Sequence, residues 1–138
     1  MPIRTLSRQE MKIDTEDDVV LVRRRARELA QKRGFDPFAT AAITTATSEL
    51  TRNVIMHAGR GTALIEEVDD GQRGGLRLTF RDDGPGIADI DRVMVGGYST
   101  SRSLGLGLSG SKRLVDEFKI DSRPGAGTCI CITKWTRF

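Results

Sequence analysis

Three short motifs follow one another along the chain, and they constrain its fold more than any other feature. Glu49 and Asn53 lie four residues apart, DDGPGI spans residues 82–87, and GLGLSGSKRL spans residues 105–114. The first pair would share one face of a helix, the second motif is an Asp-x-Gly-x-Gly turn, and the third is a Gly-x-Gly loop entering a helix. A fold that brings them together has the parts needed to hold a nucleotide and its magnesium.

Capping signals predict two helices in the first half of the chain. Thr15, followed three residues later by an aspartate, opens a helix that ends at Gly34. A second helix begins at Pro37 behind an aspartate and runs to about Ala58, where a glycine stops it. Glu49 and Asn53 therefore belong to a helix that is otherwise rich in apolar residues.

Alternating apolar residues predict the strands, and a short third helix precedes the last two. The predicted strands are Met11–Asp14, residues 62–68, residues 75–80, Phe118–Ser122 and Thr128–Trp135. The third helix is expected at Leu108–Asp116, after an irregular segment, Ala88–Leu104, that suits a lid and has a helical piece near Ile90–Met94. This order predicts an α+β fold, a two-layer α/β sandwich with a mixed, mostly antiparallel sheet and helices on one face.

Composition limits the classes of function. The 138 residues suit a single domain, 1–138, and 38% hydrophobic with 30% charged residues is typical of a soluble protein. No apolar run approaches the roughly 20 residues of a membrane span, and the N-terminal segment lacks an apolar signal core, so we expect a cytoplasmic protein with no membrane partner. Arginines cluster at Arg23–Arg27 without aromatic neighbours, which argues against nucleic-acid binding.

Each motif has a chemical interpretation and a plainer structural one. An Asn53 amide oxygen suits Mg²⁺, and Glu49 is placed to accept a hydroxyl proton; the alternative is an exposed polar pair. Asp82 suits an exocyclic amine such as that of adenine, or simply begins a turn. Thr128 either hydrogen-bonds a phosphate or favours a strand, and His57 is better explained by packing than by catalysis.

The glycines of the third motif would lie at the entry to the third helix. Free backbone N–H groups and the helix dipole favour anions there, so Gly105 and Gly107 could cradle phosphates, with Leu108 at the start of the helix. Glycine also serves tight packing, which is the plainer alternative. Cys129 and Cys131, two apart on a predicted strand, are expected to be reduced structural thiols.

With Glu49-x-x-x-Asn53, Asp82-x-Gly-x-Gly and Gly105-x-Gly in order, the chain resembles the GHKL superfamily, which has the Bergerat ATP-binding fold. Within it, ITTATSELTRNVIMHAGRG, DIDRVMVGGYSTS and the C-terminal segment SKRLVDEFKIDSRPGAGTCICITKW resemble the small serine/threonine kinases of bacterial partner switching. No histidine precedes Glu49, where Ser48 stands, and no phosphoacceptor helix bundle is present, which argues against a complete histidine kinase.

The resemblance implies a role for each motif residue. Glu49 is the general base, and Arg52 assists phosphoryl transfer or the contact with the partner. Asn53 is the Mg²⁺ ligand and Asp82 is the adenine contact. The remaining nucleotide contacts are Gly84, Gly86, Gly105, Gly107, Leu108 and Thr128. Leu104 stands where many relatives have another glycine, which predicts either a stiffer lid or a weaker affinity for nucleotide.

The resemblance also implies partners. The chain is expected to use ATP and Mg²⁺ to phosphorylate a serine or threonine of STAS-domain antagonist and scaffold proteins, and, once released, to activate a PP2C-type phosphatase through its regulatory domain. Two alternatives stay open: an anti-sigma kinase that sequesters a sigma factor, and a non-catalytic module in which nucleotide only sets the conformation. The nucleotide motifs do not separate them, because all three need the same site.

Overall fold

A computed structural model describes residues 2–87 and 102–136, with the side chains of the helix that starts at Arg102 described from Leu108 onward. The helices are α1 (Glu16–Lys32), α2 (Pro37–Ala58) and α3 (Arg102–Leu114), and the strands are β1 (Arg4–Ile13), β2 (Gly61–Asp69), β3 (Gly74–Asp82), β4 (Glu117–Ser122) and β5 (Thr128–Trp135). The helical piece predicted near Ile90–Met94 and most of the predicted lid lie outside the described residues.

The five strands form one sheet in the order β1-β2-β3-β5-β4. Each of the four pairings in the described residues is antiparallel, so the sheet has no parallel pair there, although we expected a mixed one. The predicted α+β class is confirmed. Among the described residues, no helix combines the length and the apolar character that crossing a membrane requires.

The hydrophobic core lies between the sheet and the helices. On β3, Leu76, Leu78 and Phe80 are buried, while Arg77 and Thr79 between them are partly exposed on the other face of the sheet. The core cluster also includes Val22, Ala26 and Leu29 of α1, Ile43, Ala46 and Leu50 of α2, Leu108 of α3, and Ile130 and Ile132 of β5. Because burying one such large side chain contributes about 1.5–3 kcal/mol, this layer fixes the positions of all three helices.

Helix α2 begins and ends where the sequence predicts. The carboxylate of Asp36 accepts a hydrogen bond from the Ala39 amide at 2.7 Å, and Pro37 occupies the first turn. At the other end, Gly59 has a φ of +82°, a conformation that glycine adopts without the strain of a Cβ atom. The capping prediction for α1 also agrees, because Asp18 accepts from the Thr15 amide at 3.0 Å.

Two elements begin well before their predicted first residues. Helix α3 begins at Arg102 rather than near Leu108, so Gly105 and Gly107 lie inside a helix and not in a loop before it. A glycine costs a helix only about 1 kcal/mol relative to alanine, so a Gly-x-Gly run need not stop one. Strand β1 starts at Arg4 and not at Met11, because its polar first half pairs with β2 as an exposed edge.

Candidate active site

Helix α2 carries the predicted catalytic pair and the predicted metal ligand. Glu49 and Arg52 are about two-fifths exposed, and Arg52 Nη1 lies 3.5 Å from Glu49 Oε1. An ion pair this exposed contributes about 0–1 kcal/mol, so Glu49 can exchange Arg52 for another partner at little cost. Asn53, one turn after Glu49, is instead buried, with an exposed fraction of 5%.

The amide of Asn53 has no hydrogen-bond partner among the described residues. Both Nδ2 and Oδ1 are buried, although each could make two hydrogen bonds. Leaving a buried polar group unpaired costs about 1–3 kcal/mol, and such groups in folded proteins usually serve a ligand, an ion or a water. The unpaired amide therefore indicates a binding site beside Asn53.

His57 lies one turn beyond Asn53 and shares this property. Its Nε2 is buried and has no partner among the described residues, and the side chain lines the same cavity as Asn53. The sequence favoured a packing role for His57, whereas an unpaired ring nitrogen facing a cavity favours contact with a ligand. The sequence signal for a role of His57 in the site is its position four residues after Asn53, on the same face of the helix. That spacing indicates a shared site only where the sheet buries this face.

Asp82 and Thr128 meet at the end of the sheet nearest to α2. They are register partners at the end of β3 and the start of β5. Asp82 Oδ1 accepts from the Gly84 amide at 2.9 Å, which fixes the carboxylate, and Thr128 Oγ1 lies 2.7 Å from Ser122 Oγ. Both side chains line the cavity, so the structure brings them together with Asn53.

Gly84 and Gly86 are required by the turn itself. A Cβ atom on Gly84 would lie 2.6 Å from the Cβ of Ala58, so glycine lets the turn pack against the end of α2. Gly86 has a φ of +77°, and a Cβ atom there would collide with the carbonyl oxygen of Arg123. The turn thus holds Asp82 against α2.

One small cavity joins these residues. Its polar lining residues are Asn53, His57, Asp82 and Thr128; its other lining residues are Leu50, Val54, Phe80, Gly86, Ile87, Leu108 and Ile130. The volume is about 20 Å³, enough for about one water molecule but far below the roughly 300–1,000 Å³ of typical ligand pockets. The cavity is lined mainly by apolar residues and has one polar wall. Its walls must move apart to admit the adenine base of a nucleotide.

Leu108 is the part of α3 that reaches this cavity. Its side chain is fully buried and forms one wall of the cavity. Gly105 and Gly107 precede it on the same helix, so their amides are not the free N–H groups of a helix entry. A role for these two glycines in holding phosphates would require the first turns of α3 to unwind.

The donors present fit a magnesium ion held mainly by a nucleotide. No group of three or more histidine, cysteine, aspartate or glutamate side chains is arranged around a metal position in the described part of the chain. Mg²⁺ usually keeps several waters and binds through one or two protein oxygens plus substrate phosphates. The Oδ1 atom of Asn53 is a buried amide oxygen with no partner among the described residues, and its chemistry fits this requirement.

Residues 38–137 match the family described as histidine kinase-, DNA gyrase B-, and HSP90-like ATPase. The chain is 48% identical over 127 residues to the serine/threonine-protein kinase RsbT of Bacillus subtilis (strain 168), covering 92% of this chain and 96% of that protein. It is 31% identical over 101 residues to an anti-sigma F factor of Thermoanaerobacter sp. (strain X514), covering 69% of each.

Solved structures agree with the fold. The RsbU and RsbW domains of Rv1364c from Mycobacterium tuberculosis match with a TM-score of 0.65 at 22% identity, over 96% of this chain and 33% of that one. The SiaB-SiaC complex from Pseudomonas aeruginosa matches with a TM-score of 0.57 at 12% identity, over 96% and 91%. The chain therefore belongs to the histidine kinase-, DNA gyrase B- and HSP90-like ATPase family, in which it is a close homologue of the serine/threonine-protein kinase RsbT.

Proposed function

We propose that this chain, as a single cytoplasmic kinase domain of residues 1–138, transfers the terminal phosphate of ATP to a serine or threonine of STAS-domain antagonist and scaffold proteins. Released from them, it activates a PP2C-type phosphatase through that enzyme's regulatory domain. The observation that carries the proposal is the buried, unpaired amide of Asn53, one turn from an accessible Glu49 and in one cavity with Asp82. The likeness to RsbT supports the same function.

Glu49 acts as the general base in this scheme. The acceptor oxygen attacks the terminal phosphorus, its proton passes to the Glu49 carboxylate, and the bond from that phosphorus to the bridging oxygen breaks as ADP leaves. A protein hydroxyl can reach Glu49 because its side chain is about two-fifths exposed and does not line the cavity beside Asn53. Arg52 lies beside Glu49 and would offset phosphate charge once the weak ion pair opens.

Asn53 and the end of the sheet orient the nucleotide. The amide oxygen of Asn53 would hold Mg²⁺, which offsets negative charge on the phosphate oxygens when it is bound. Asp82 uses Oδ1 for the Gly84 amide, which leaves Oδ2 for the exocyclic amine of adenine. His57 and Thr128 offer further polar atoms on the same wall, and Leu108 and Ile130 would provide apolar contacts for the adenine ring.

Phosphorylation by a Glu49→Gln variant tests the base directly. Incubation with ATP, Mg²⁺ and a STAS-domain partner should give phosphoserine or phosphothreonine with the wild type, and at least about 100-fold more slowly with Glu49→Gln, since general bases contribute about 10²–10⁴-fold. Glu28→Gln on α1, exposed and in a comparable ion pair, serves as the control. The rate is followed by mass spectrometry of the partner.

Full activity in Glu49→Gln would exclude the catalytic role. No phosphorylated residue with the wild type would favour a module in which nucleotide only sets the conformation. The anti-sigma relatives support one further candidate, a kinase that sequesters a sigma factor. Retention of a sigma factor, and not of a phosphatase regulatory domain, in a pull-down with the purified chain would favour it.

A further inference from the structure

His57 has no part in the proposed phosphoryl transfer, yet one of its ring nitrogens is buried at the site. The Nε2 atom has no hydrogen-bond partner among the described residues, and the side chain lines the cavity beside Asn53. The residue as a whole is only partly buried, so the fold withdraws this nitrogen in particular from water. Because a buried polar atom without a partner destabilises the free protein, Nε2 indicates a ligand atom that pairs with it in the occupied site.

The position of His57 along α2 places it at the base end of the site. Glu49, Asn53 and His57 follow one another at intervals of four residues, so each step is about 6 Å along one face of the helix. In the proposed function, Glu49 and Asn53 address the terminal phosphate and its Mg²⁺. The turn that follows β3 packs instead against Ala58, the residue after His57. His57 therefore lies beside the turn that holds Asp82, the proposed partner of the exocyclic amine.

The hydroxyl group of Thr128 has its proton engaged away from the cavity. Ser122 Oγ lies 2.7 Å from Thr128 Oγ1 and accepts from the Ile87 amide at 2.8 Å. It also lies 3.0 Å from the carbonyl oxygen of Gly127. A carbonyl oxygen only accepts, so the single proton of Ser122 goes to Gly127, and Thr128 must donate to Ser122 for all three contacts to be hydrogen bonds. Thr128 therefore presents lone pairs to the cavity.

An adenine base needs a donor beside the amine that Asp82 would accept. The exocyclic amine lies between two ring nitrogens, N1 and N7, and both of them are acceptors. The ionised carboxylate of Asp82 has only acceptor atoms, and the proton of Thr128 is already engaged. An imidazole ring with a proton on Nε2 supplies an N–H group at this end of the cavity.

We propose that the Nε2–H group of His57 donates a hydrogen bond to a ring nitrogen beside the exocyclic amine of adenine, and so helps to select the base of the nucleotide. The inference rests on the proposed function, because it takes ATP as the ligand of this cavity. Asp82 then recognises the amine, and His57 recognises the acceptor next to it. Because this contact lies at the opposite end of ATP from the transferred phosphate, it strengthens binding and leaves the chemical step unchanged.

Deaza analogues of ATP, in which a C–H group replaces N1 or N7, test this hydrogen bond by calorimetric titration of the full chain with Mg²⁺ present. The wild type should bind one of the two analogues about three- to tenfold more weakly than ATP, as the loss of one hydrogen bond predicts. His57→Phe keeps a ring and removes the donor, so it should bind ATP and that analogue equally well. Met56→Ala, at the exposed neighbouring position on α2, should keep the wild-type preference.

The ratio of the two affinities separates a hydrogen bond from a purely structural role of His57. A substitution that only disturbs packing weakens ATP and the analogue by the same factor and leaves their ratio unchanged. His57→Gln, whose amide N–H can replace the Nε2–H group, should keep the preference that His57→Phe loses. With a STAS-domain protein as substrate, His57→Phe should raise the KM for ATP about three- to tenfold and leave kcat within about twofold of the wild type.

The outcomes separate this inference from the proposed function. If the wild type binds no Mg²⁺-ATP, the proposed function is wrong and the inference fails with it. If the wild type binds ATP, but His57→Phe keeps the same preference for ATP over each analogue, only the role of His57 is wrong. A wild type that binds ATP and both analogues equally well has the same meaning. If the preference disappears in Thr128→Val and stays in His57→Phe, Thr128 is the donor and the assignment to His57 is overturned.

Discussion

At the scale of single residues, unpaired buried polar atoms are the strongest indication of a site in this chain. Asn53 and His57 lie on one helical face and point partnerless atoms at one cavity, whereas neighbouring polar residues of α2 are satisfied. Thr47 and Ser48, for example, donate to backbone carbonyl oxygens one turn earlier, at 2.7 and 3.1 Å. Sequence spacing identified Asn53, but only the folded structure distinguishes it from these neighbours.

Replacing Asn53 by alanine should separate binding from stability. Affinity for Mg²⁺-nucleotide should fall at least about tenfold, while the free energy of unfolding should stay the same or rise, because the unpaired amide costs about 1–3 kcal/mol. Ser48→Ala removes a satisfied buried hydroxyl five residues before Asn53 and should leave nucleotide binding intact. Calorimetric titration and urea unfolding measure the two effects; unaltered nucleotide affinity would contradict the metal assignment.

At the scale of elements, local capping chemistry was predictable and tertiary effects were not. The bounds of α2 follow from Asp36, Pro37 and Gly59, which act within one turn of the helix. The start of α3 does not follow from local sequence, because a Gly-x-Gly run is compatible with both a helix and a loop. Only tertiary packing decides between the two. The predicted length of β1 was too short for a similar reason. The first half of this strand is exposed, and it is a strand because it pairs with β2, which is distant in sequence.

Two glycines allow the turn after β3 to be tested with an internal control. Gly86 and Gly34 both have positive φ angles, +77° and +83°, but a Cβ atom on Gly34 meets no atom within 4 Å. Gly34→Ala should therefore cost only the backbone strain, about 1–2 kcal/mol. Gly86→Ala adds a collision with the Arg123 carbonyl and should cost clearly more in urea unfolding, together with a loss of nucleotide affinity. Equal costs would mean that the turn adapts to the added atom.

At the scale of the whole molecule, buried charges connect the layers. Glu66 and Glu67 follow each other on β2 and are both 3% exposed. Glu66 accepts from Arg77 Nε at 3.0 Å and Arg8 Nη2 at 3.1 Å, and so joins β2 to both neighbouring strands. Glu67 lies 3.1 Å from Arg33 Nε at the end of α1, and so joins the helix layer to the sheet.

These contacts predict a loss of stability in acid. Burial alone would raise the pKa of Glu66, but hydrogen bonds from Arg77 and Arg8 outweigh it and hold the pKa below the ordinary value of 4.5. A depressed pKa in the folded state stabilises the protein fully above pH 4.5, and the contribution is lost as the pH falls through the folded-state pKa.

Urea unfolding between pH 7 and pH 3 measures the effect. The wild type should lose stability below about pH 4.5, and Glu66→Gln should be less stable at neutral pH with a flatter acid limb. Glu10→Gln, at an exposed position on β1, should follow the wild-type curve. An acid limb as steep in Glu66→Gln as in the wild type would show that other carboxylates dominate.

The small volume of the cavity beside Asn53 has a thermodynamic consequence. The volume between Asn53, Asp82 and Leu108 is only about 20 Å³, so a nucleotide binds only those molecules in which these walls have separated. Its apparent affinity is the intrinsic affinity multiplied by the fraction of molecules that are open. A protein partner that prefers the open form would raise that fraction. By reciprocity, ATP would then strengthen the partner's binding by the same factor, so the resting occupancy of the nucleotide site would report which partner the kinase has joined.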